Sequence, residues 1–403
     1  MNILFLSVFP VHNIDDRNLY ADLLRKFRDK GHKVYIVTPS ERRNNDKTSL
    51  LKQQGAELLK IKTPNLQKTN FFEKGLGLIL LPFLFKKQIR SFFPDVKFDL
   101  ILYATPPITF TSVIRYFKRK HGAKSYLLLK DIFPQNAVDL GFLSPKNPIY
   151  WYFRNKEKNL YKYSDVIGCM SPANVLYLKT QNPSLQNKPI EVCPNSIEPQ
   201  DDFVSYSERM EIRKKYGVNP ESVFFLYGGN LGKPQGLDFL LNVIENTQDL
   251  ENVFFLIIGS GTEYPKLKSW FNQNKPQNSL LLESTPKADF DLLVQSCDVG
   301  MIFLDRRFTI PNFPSRLLSY LEYSIPVIAA TDKSTDLGTI MMGNGFGLWS
   351  ESGDLDAFKE NIKYLVSDTE RLKIMGQKGR SYLEKNYHVS NAYSIIMKHF
   401  SHV

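Results

Sequence analysis

Short apolar runs bounded by turn residues alternate with stretches of helical length along the whole chain, and that alternation restricts the fold more than any other feature. A strand, a helix and a second strand in succession are wound as a crossover, so the sequence predicts parallel sheets covered by helices. In the first half, Ile3 to Val8, Lys33 to Thr38, Leu100 to Ala104, Ser125 to Leu129 and Val166 to Met170 read as strands. The stretch PNSIEPQDDF, residues 194–203, breaks the rhythm with prolines and acids. Beyond it the pattern restarts with Phe224 to Tyr227, Val253 to Ile258, Ser279 to Leu282, Val299 to Leu304 and Pro326 to Ala330. At 403 residues the chain is too long for one ordinary core. The expected fold class is α/β, with two doubly wound Rossmann-like domains facing a cleft. Their expected bounds are 1–198 and 199–385, followed by a C-terminal helix in 386–403 that packs back on the first domain.

Charge is divided unevenly between the halves. Residues 1–200 carry 31 Lys or Arg against 16 acids, a net +15, and the remainder carries 21 against 25, a net −4. The first half thus suits an anionic partner, nucleic acid or a lipid surface, or it is simply the solvated exterior of a Lys-rich protein. Its cations are scattered through helical stretches with no recognisable nucleic-acid module, which argues against nucleic acid. Cys169, Cys193 and Cys297 are odd in number and far apart, as buried thiols in a reducing compartment would be. Met1 leads straight into a strand without the pattern of a signal peptide, and a cytoplasmic protein is expected.

One segment bears on membranes. In FFEKGLGLILLPFLFKKQIRSFF, residues 71–93, the charge-free run from Gly75 to Phe85 is far short of the roughly 20 residues of a spanning helix. Phe71, Phe72, Leu76, Ile79, Leu80, Phe83 and Leu84, followed by Lys86, Lys87 and Arg90, suit an interfacial segment on anionic lipid. The same pattern also reads as a core helix kinked at Pro82.

Three strand ends in the second half have the character of ligand turns. YGGNLGKPQGLDFLL, 227–241, leaves a strand through Gly228 and Gly229; FFLIIGSGTEYPKLKSW, 254–270, leaves one through Gly259 and Gly261. Such glycines let backbone approach a ligand, and two turns of this kind in one domain favour a nucleotide, although each alone is also an ordinary tight turn. The first is neither a dinucleotide fingerprint nor a Walker loop. In NFPSRLLSYLEYSIPVIAA, 312–330, a helix capped by Ser315 presents Ser315, Arg316, Ser319, Glu322 and Tyr323 on one face. That face suits a diphosphate, or is a solvated polar face.

In the first half, LLLKDIFPQNAVDLGFL, 127–143, sets Asp131 just after a strand, where it either accepts a proton or hydrogen-bonds a sugar hydroxyl, or merely caps a turn. His12 and Arg17 follow the first strand and face the same edge. Asp354 and Asp356 in GDLDAF read as helix-capping and first-turn acids, and no cluster has metal-ligand spacing.

Taken in order, GHKVYIVTP, VCPNSIE, GGNLGKPQGLD, IIGSG and PSRLLSYLEYSIPVIAA resemble the retaining glycosyltransferases of family 4, which have the GT-B fold. The resemblance covers nearly the whole chain. The Asp-Ile-Phe-Pro and Gly-Asn-x-Gly-x-x-Gln-Gly forms look like the subgroup that builds bacterial surface polysaccharides, including N-acetylfucosamine transferases. The resemblance implies a nucleotide sugar, most naturally a UDP-sugar, as co-substrate in the C-terminal domain, without a metal or other cofactor. It implies donor contacts at Gly229, Asn230, Gly232, Lys233, Gln235, Gly259, Gly261, Ser315, Arg316, Ser319 and Glu322, with Asp131 catalytic and His12 and Arg17 on the acceptor side. The implied acceptor is an undecaprenyl-diphosphate-linked glycan, met by a protein peripheral on the inner face of the cell membrane. The sequence departs from the family at Asn230 and Gln235, where Arg and Lys are usual, and at Pro311 and Ser319, where two Glu are usual. Glu322, one turn beyond Ser319, is the candidate to take over a ribose contact. Loss of those acids also admits a non-catalytic GT-B subunit that scaffolds a partner transferase.

Overall fold

The computed structural model describes residues 1–66, 69 and 71–400. The chain divides into two compact units, Met1–Glu198 with His388–Val403, and Pro199–Tyr387.

Unit 1 is built on eight strands: β1 (Asn2–Leu6), β2 (Lys33–Glu41), β3 (Ser49–Gln53), β4 (Ala56–Thr63), β5 (Leu100–Ala104), β6 (Lys124–Leu129), β7 (Val166–Cys169) and β8 (Ile190–Val192). Their order in the sheet is β3-β4-β2-β1-β5-β6-β7-β8. The helices are α1 (Leu19–Asp29), α2 (Phe71–Phe92), α3 (Thr111–His121), α4 (Gln135–Asp139), α5 (Pro148–Tyr163) and α6 (Pro172–Gln181), and the C-terminal helix (Val389–Met397) packs beside α1. All pairings are parallel except β3 with β4, an antiparallel hairpin at the sheet edge that the expected parallel pattern omits. Its strands escaped notice because β3, SLLKQ, is short and has no buried residue, and because charges interrupt AELLKIKT in β4. Strand β1, at the centre of the sheet, is inaccessible from Ile3 to Leu6, as a strand covered by helices on both faces must be.

Unit 2 contains β9 (Val223–Asn230), β10 (Val253–Ser260), β11 (Ser279–Glu283), β12 (Val299–Phe303), β13 (Val327–Thr331) and β14 (Gly347–Glu351), all parallel, in the order β11-β10-β9-β12-β13-β14. Its helices are α7 (Tyr206–Lys215), α8 (Leu237–Glu245), α9 (Tyr264–Asn274), α10 (Lys287–Ser296), α11 (Arg316–Glu322), α12 (Leu337–Gly343), α13 (Leu355–Val366) and α14 (Thr369–Asn386); the C-terminal helix of unit 1 is then α15. Strand order reverses between β9 and β12, and the turns leaving these strands lie together at their carboxyl ends, where doubly wound sheets bind ligands. Asp354 accepts from the Ala357 N–H at the start of α13, with Asp356 in the first turn, so the Asp-x-Asp pair is a helix start. The three cysteines are buried and unpaired with one another.

Within segment 71–93 the chain forms a single helix, α2, with one side buried and another exposed. The helix continues through Pro82, with Leu81, Phe85 and Ile89 buried against the unit, while Leu76, Ile79, Leu80 and Phe83 are exposed. Among the described residues no helix is long and apolar enough to cross a membrane.

Candidate active site

The carboxyl edge of the unit 2 sheet gathers side chains around one cation. Arg316, at the start of α11, donates from Nη2 to Gln235 Oε1 at 2.8 Å and places its guanidinium 4.3 Å from the centre of the Tyr227 ring. Among the described residues it has no carboxylate partner, and its Nη1 is buried without a hydrogen-bond acceptor. A guanidinium held by a neutral amide and an aromatic face keeps its full charge and spare donors, which is what an anionic ligand requires.

Tyr227 organises this cluster. Its hydroxyl lies 3.1 Å from the Asn230 carbonyl and 3.2 Å from Gln235 Oε1, so one buried ring braces both ends of the glycine turn. Burial raises its pKa, against the effect of Arg316, and the hydroxyl remains a neutral donor. In the sequence Tyr227 looks like an ordinary core residue of an apolar strand; its position just before Gly228 and Gly229 is the one signal of a further role. Gly229 has φ +117°, and a Cβ there would stand 3.9 Å from the Arg316 guanidinium. Asn230 is exposed, the Gly232 backbone is packed beneath the Asn230 amide, and Lys233 lies in the half-buried turn 233–235.

Gly259 and Gly261 are required by the packing of the two turns. A Cβ on Gly259 would lie 1.9 Å from the Gly229 carbonyl oxygen, and one on Gly261 would lie 2.3 Å from Leu231. Both glycines therefore let the β10 turn press on the β9 turn and fix the latter's shape.

Two expectations about α11 are corrected. Ser315 occupies the position before the helix but makes no side-chain cap; it is exposed, with helical backbone angles in place of the extended ones a capping side chain uses. Glu322 is buried, and its Oε1 accepts the backbone N–H of Gln200 at 3.0 Å, so it braces the segment entering unit 2 and is not presented to a ligand. Helical geometry alone put Glu322 on the Arg316 side, but α11 has seven residues and its last turn is enclosed: Arg380 of α14 donates to the Glu322 carbonyl. Ser319 is half-buried between these two ends.

The loop leading into α11 is fastened by residues that the sequence did not single out. Asp332 follows β13; its Oδ1 accepts the N–H groups of Ser334 at 2.8 Å and Thr335 at 2.9 Å, and its Oδ2 accepts from the Thr335 hydroxyl at 2.9 Å. The same hydroxyl accepts the Asn312 N–H at 3.0 Å, which ties the loop carrying Arg316 to the turn after β13. Burial pushes the Asp332 carboxyl up to about 6, against those hydrogen bonds. Asp305, after β12, is held below its ordinary range: burial opposes ionisation, but Arg307 overcomes it with Nε at 2.9 Å, Nη2 at 2.6 Å and its N–H at 3.0 Å.

In unit 1, Asp131 lies just past β6. Asn136 Nδ2 donates to both carboxylate oxygens, at 2.9 and 3.0 Å, and Thr105 Oγ accepts the Asp131 N–H at 3.2 Å. Burial raises the carboxyl pKa, while hydrogen bonds from the Ile132 backbone N–H and the Asn136 amide moderate the rise. His12 is exposed and Arg17 half-buried in the loop after β1, at the same carboxyl edge of the sheet. No group of three or more potential metal-ligating side chains is found among the described residues.

The family models tile this architecture. Residues 18–201 match the model described as Glycosyltransferase Family 4, and residues 208–382 match Glycosyl transferases group 1. The chain belongs to the retaining glycosyltransferases of family 4. As a family 4 glycosyltransferase it uses nucleotide-sugar donors. A curated relative, probable glycosyltransferase WbjE of Pseudomonas aeruginosa, is 24% identical over 334 residues, 81% of this chain and 80% of WbjE. Sucrose-phosphate synthase from Thermosynechococcus elongatus superposes with a TM-score of 0.78 at 13% identity, covering 99% of this chain and 98% of that one. Anabaena HepE, solved in complex with UDP, superposes with a TM-score of 0.70 at 14% identity, covering 100% and 99%. These likenesses establish the GT-B fold.

Proposed function

We propose that this glycosyltransferase moves a sugar from a UDP-sugar to a lipid-linked glycan, with retention at the anomeric carbon, during synthesis of a bacterial surface polysaccharide. The observation that carries the reading is Arg316: a half-buried guanidinium whose Nη1 is buried without an acceptor and which has no acidic partner among the described residues, set beside the glycine turn at the switch point of the sheet. Arg316 and Lys233 neutralise the charge that grows on the diphosphate as the bond to the sugar breaks. Gln235 and Asn230 stand where the family usually has cations, and the charge demand falls correspondingly on Arg316. Asp131 receives the proton of the attacking acceptor hydroxyl. UDP is favoured by the UDP complex of HepE, and the surface-polysaccharide role by the resemblance to the subgroup that includes N-acetylfucosamine transferases. The acceptor is an undecaprenyl-diphosphate-linked glycan, reached by a protein peripheral on the inner leaflet.

A panel of UDP-sugars with lipid-linked acceptors, read by mass spectrometry and by NMR of the anomeric centre, tests this reading. Transfer of one sugar with retained configuration is expected. Binding of UDP without transfer or hydrolysis of any donor would favour the second reading, a scaffolding subunit, for which Ser319 and Pro311 in place of acids are the motive.

A further inference from the structure

The helices α2, α3 and α5 pack side by side on one face of the unit 1 sheet, while α1 and α15 pack together on the other. The two layers differ sharply in charge. By sequence α2, α3 and α5 each carry four Lys or Arg, and their two acids are Glu73 and Glu157. Glu157 is buried against Arg154 and Tyr161. On the other layer α1 has three cations against Asp22 and Asp29, and α15 has no charged residue.

The cationic layer also exposes apolar side chains. On α2, Leu76, Ile79, Leu80 and Phe83 occupy one side at helical spacing, with Phe83 61% exposed, and Lys87 and Arg90 continue that side. Helix α5 repeats the arrangement: Ile149, Trp151 and Tyr152 are exposed at its start, with Trp151 at 60%, and Lys158 and Lys162 are exposed at its end. Rings and cations interleave between the two. Arg90 of α2 lies 5.4 Å from the Tyr116 ring of α3, and Arg115 of α3 lies 4.5 Å from the Tyr163 ring of α5. Both helices run back against parallel strands, so their apolar beginnings lie toward the carboxyl edge of the sheet, where Asp131 sits.

Such a surface is poorly matched to water and well matched to an anionic bilayer. Leu, Ile and Phe enter the acyl boundary, Trp and Tyr settle at headgroup level, and Lys and Arg reach the phosphates. We infer that α2 and α5, bridged by α3, form one docking surface for an anionic lipid bilayer, with Phe83 and Trp151 as its two insertion points. This deepens the lipid-linked acceptor reading and rests on it for the choice of a membrane as partner; α5, which carried no membrane signal in the sequence, becomes an equal half of the contact.

The test uses the full chain and vesicles of phosphatidylcholine with and without phosphatidylglycerol. Sedimentation should show binding to the anionic vesicles at least about 10-fold tighter than to neutral ones and weakened by salt. Emission of Trp151 should shift blue and be quenched by brominated acyl chains, a response absent in Trp151→Phe. Phe83→Ser and the pair Trp151→Ser/Tyr152→Ser should each lower vesicle affinity by about 5-fold or more, while unchanged UDP affinity certifies the fold. Failure of the unaltered protein to prefer anionic vesicles overturns the inference, as does an α5 variant that binds like the unaltered protein. Dissociation of a dimer by the α5 variant also overturns it, since a second copy would then be the occupant. Vesicle binding by a protein that ignores UDP would leave this surface standing and count against the donor reading alone.

Discussion

Arg316 and Tyr227 form a cation–π pair, the guanidinium 4.3 Å from the ring centre, and the Tyr227 hydroxyl in turn braces Gln235, the acceptor of the Arg316 hydrogen bond. The ring holds the cation without neutralising it, whereas a carboxylate would compete with a diphosphate for the same donors.

Tyr227→Phe keeps the ring and removes the brace. A lost hydrogen bond of about 0.5–1.5 kcal/mol corresponds to UDP binding weaker by roughly 2- to 12-fold. Tyr227→Leu removes the cation–π contact as well and should weaken binding further. Calorimetric titration of both variants measures the two contributions separately; equal affinities would show that the ring face contributes nothing.

Gly259→Ala tests the packing of the β10 turn on the β9 turn. The added Cβ would meet the Gly229 carbonyl oxygen at 1.9 Å, so backbone has to move. A loss of about 1–3 kcal/mol in urea unfolding is expected, the usual cost of overpacking. Gly75→Ala in α2, where nothing lies within 4 Å, should instead stabilise by about 0.5–1 kcal/mol through helix propensity.

Ten of the strands were legible in the sequence because apolar runs and glycines report directly on backbone geometry, whereas β3, β4, β8 and β14 were not read from it. The glycine turns after β9 and β10 were visible for the same reason. The rest depends on tertiary context. Tyr227 is indistinguishable from a core residue until Arg316 lies over it, and Asp332 from a turn acid until Thr335 joins it to Asn312. Glu322 shows the reverse error: helix periodicity set it beside Arg316, but the burial of α11 under Gln200 and Arg380 took it away.

Asp332 predicts a pH signature in stability. Burial raises its carboxyl from 3.8 to about 6, so between those values the folded protein retains a proton that the unfolded chain releases. Stability from this group is complete below about 4 and is lost as pH rises through about 6. Asp332→Asn does not titrate. The unfolding free energy of the protein minus that of the variant should therefore fall between pH 4 and pH 7, by on the order of 2 kcal/mol. Chemical denaturation across that range checks it, and a flat difference would contradict it.

Asp131→Asn should lower transfer by roughly 10²- to 10⁴-fold, the usual contribution of a general acid or base, and leave UDP affinity unchanged. Because burial raises the Asp131 carboxyl, the acidic limb of the pH–rate profile should lie above the ordinary aspartate value. Full turnover in the variant would remove Asp131 from the mechanism.

The most direct measurement is a calorimetric titration of UDP into the protein and into Arg316→Ala. If the uncompensated guanidinium holds the diphosphate, loss of its charge-assisted hydrogen bonds, about 1.5–3 kcal/mol, should weaken binding by roughly 10- to 150-fold, with Arg316→Lys intermediate. Equal affinity for UDP in the protein and in Arg316→Ala would contradict the account.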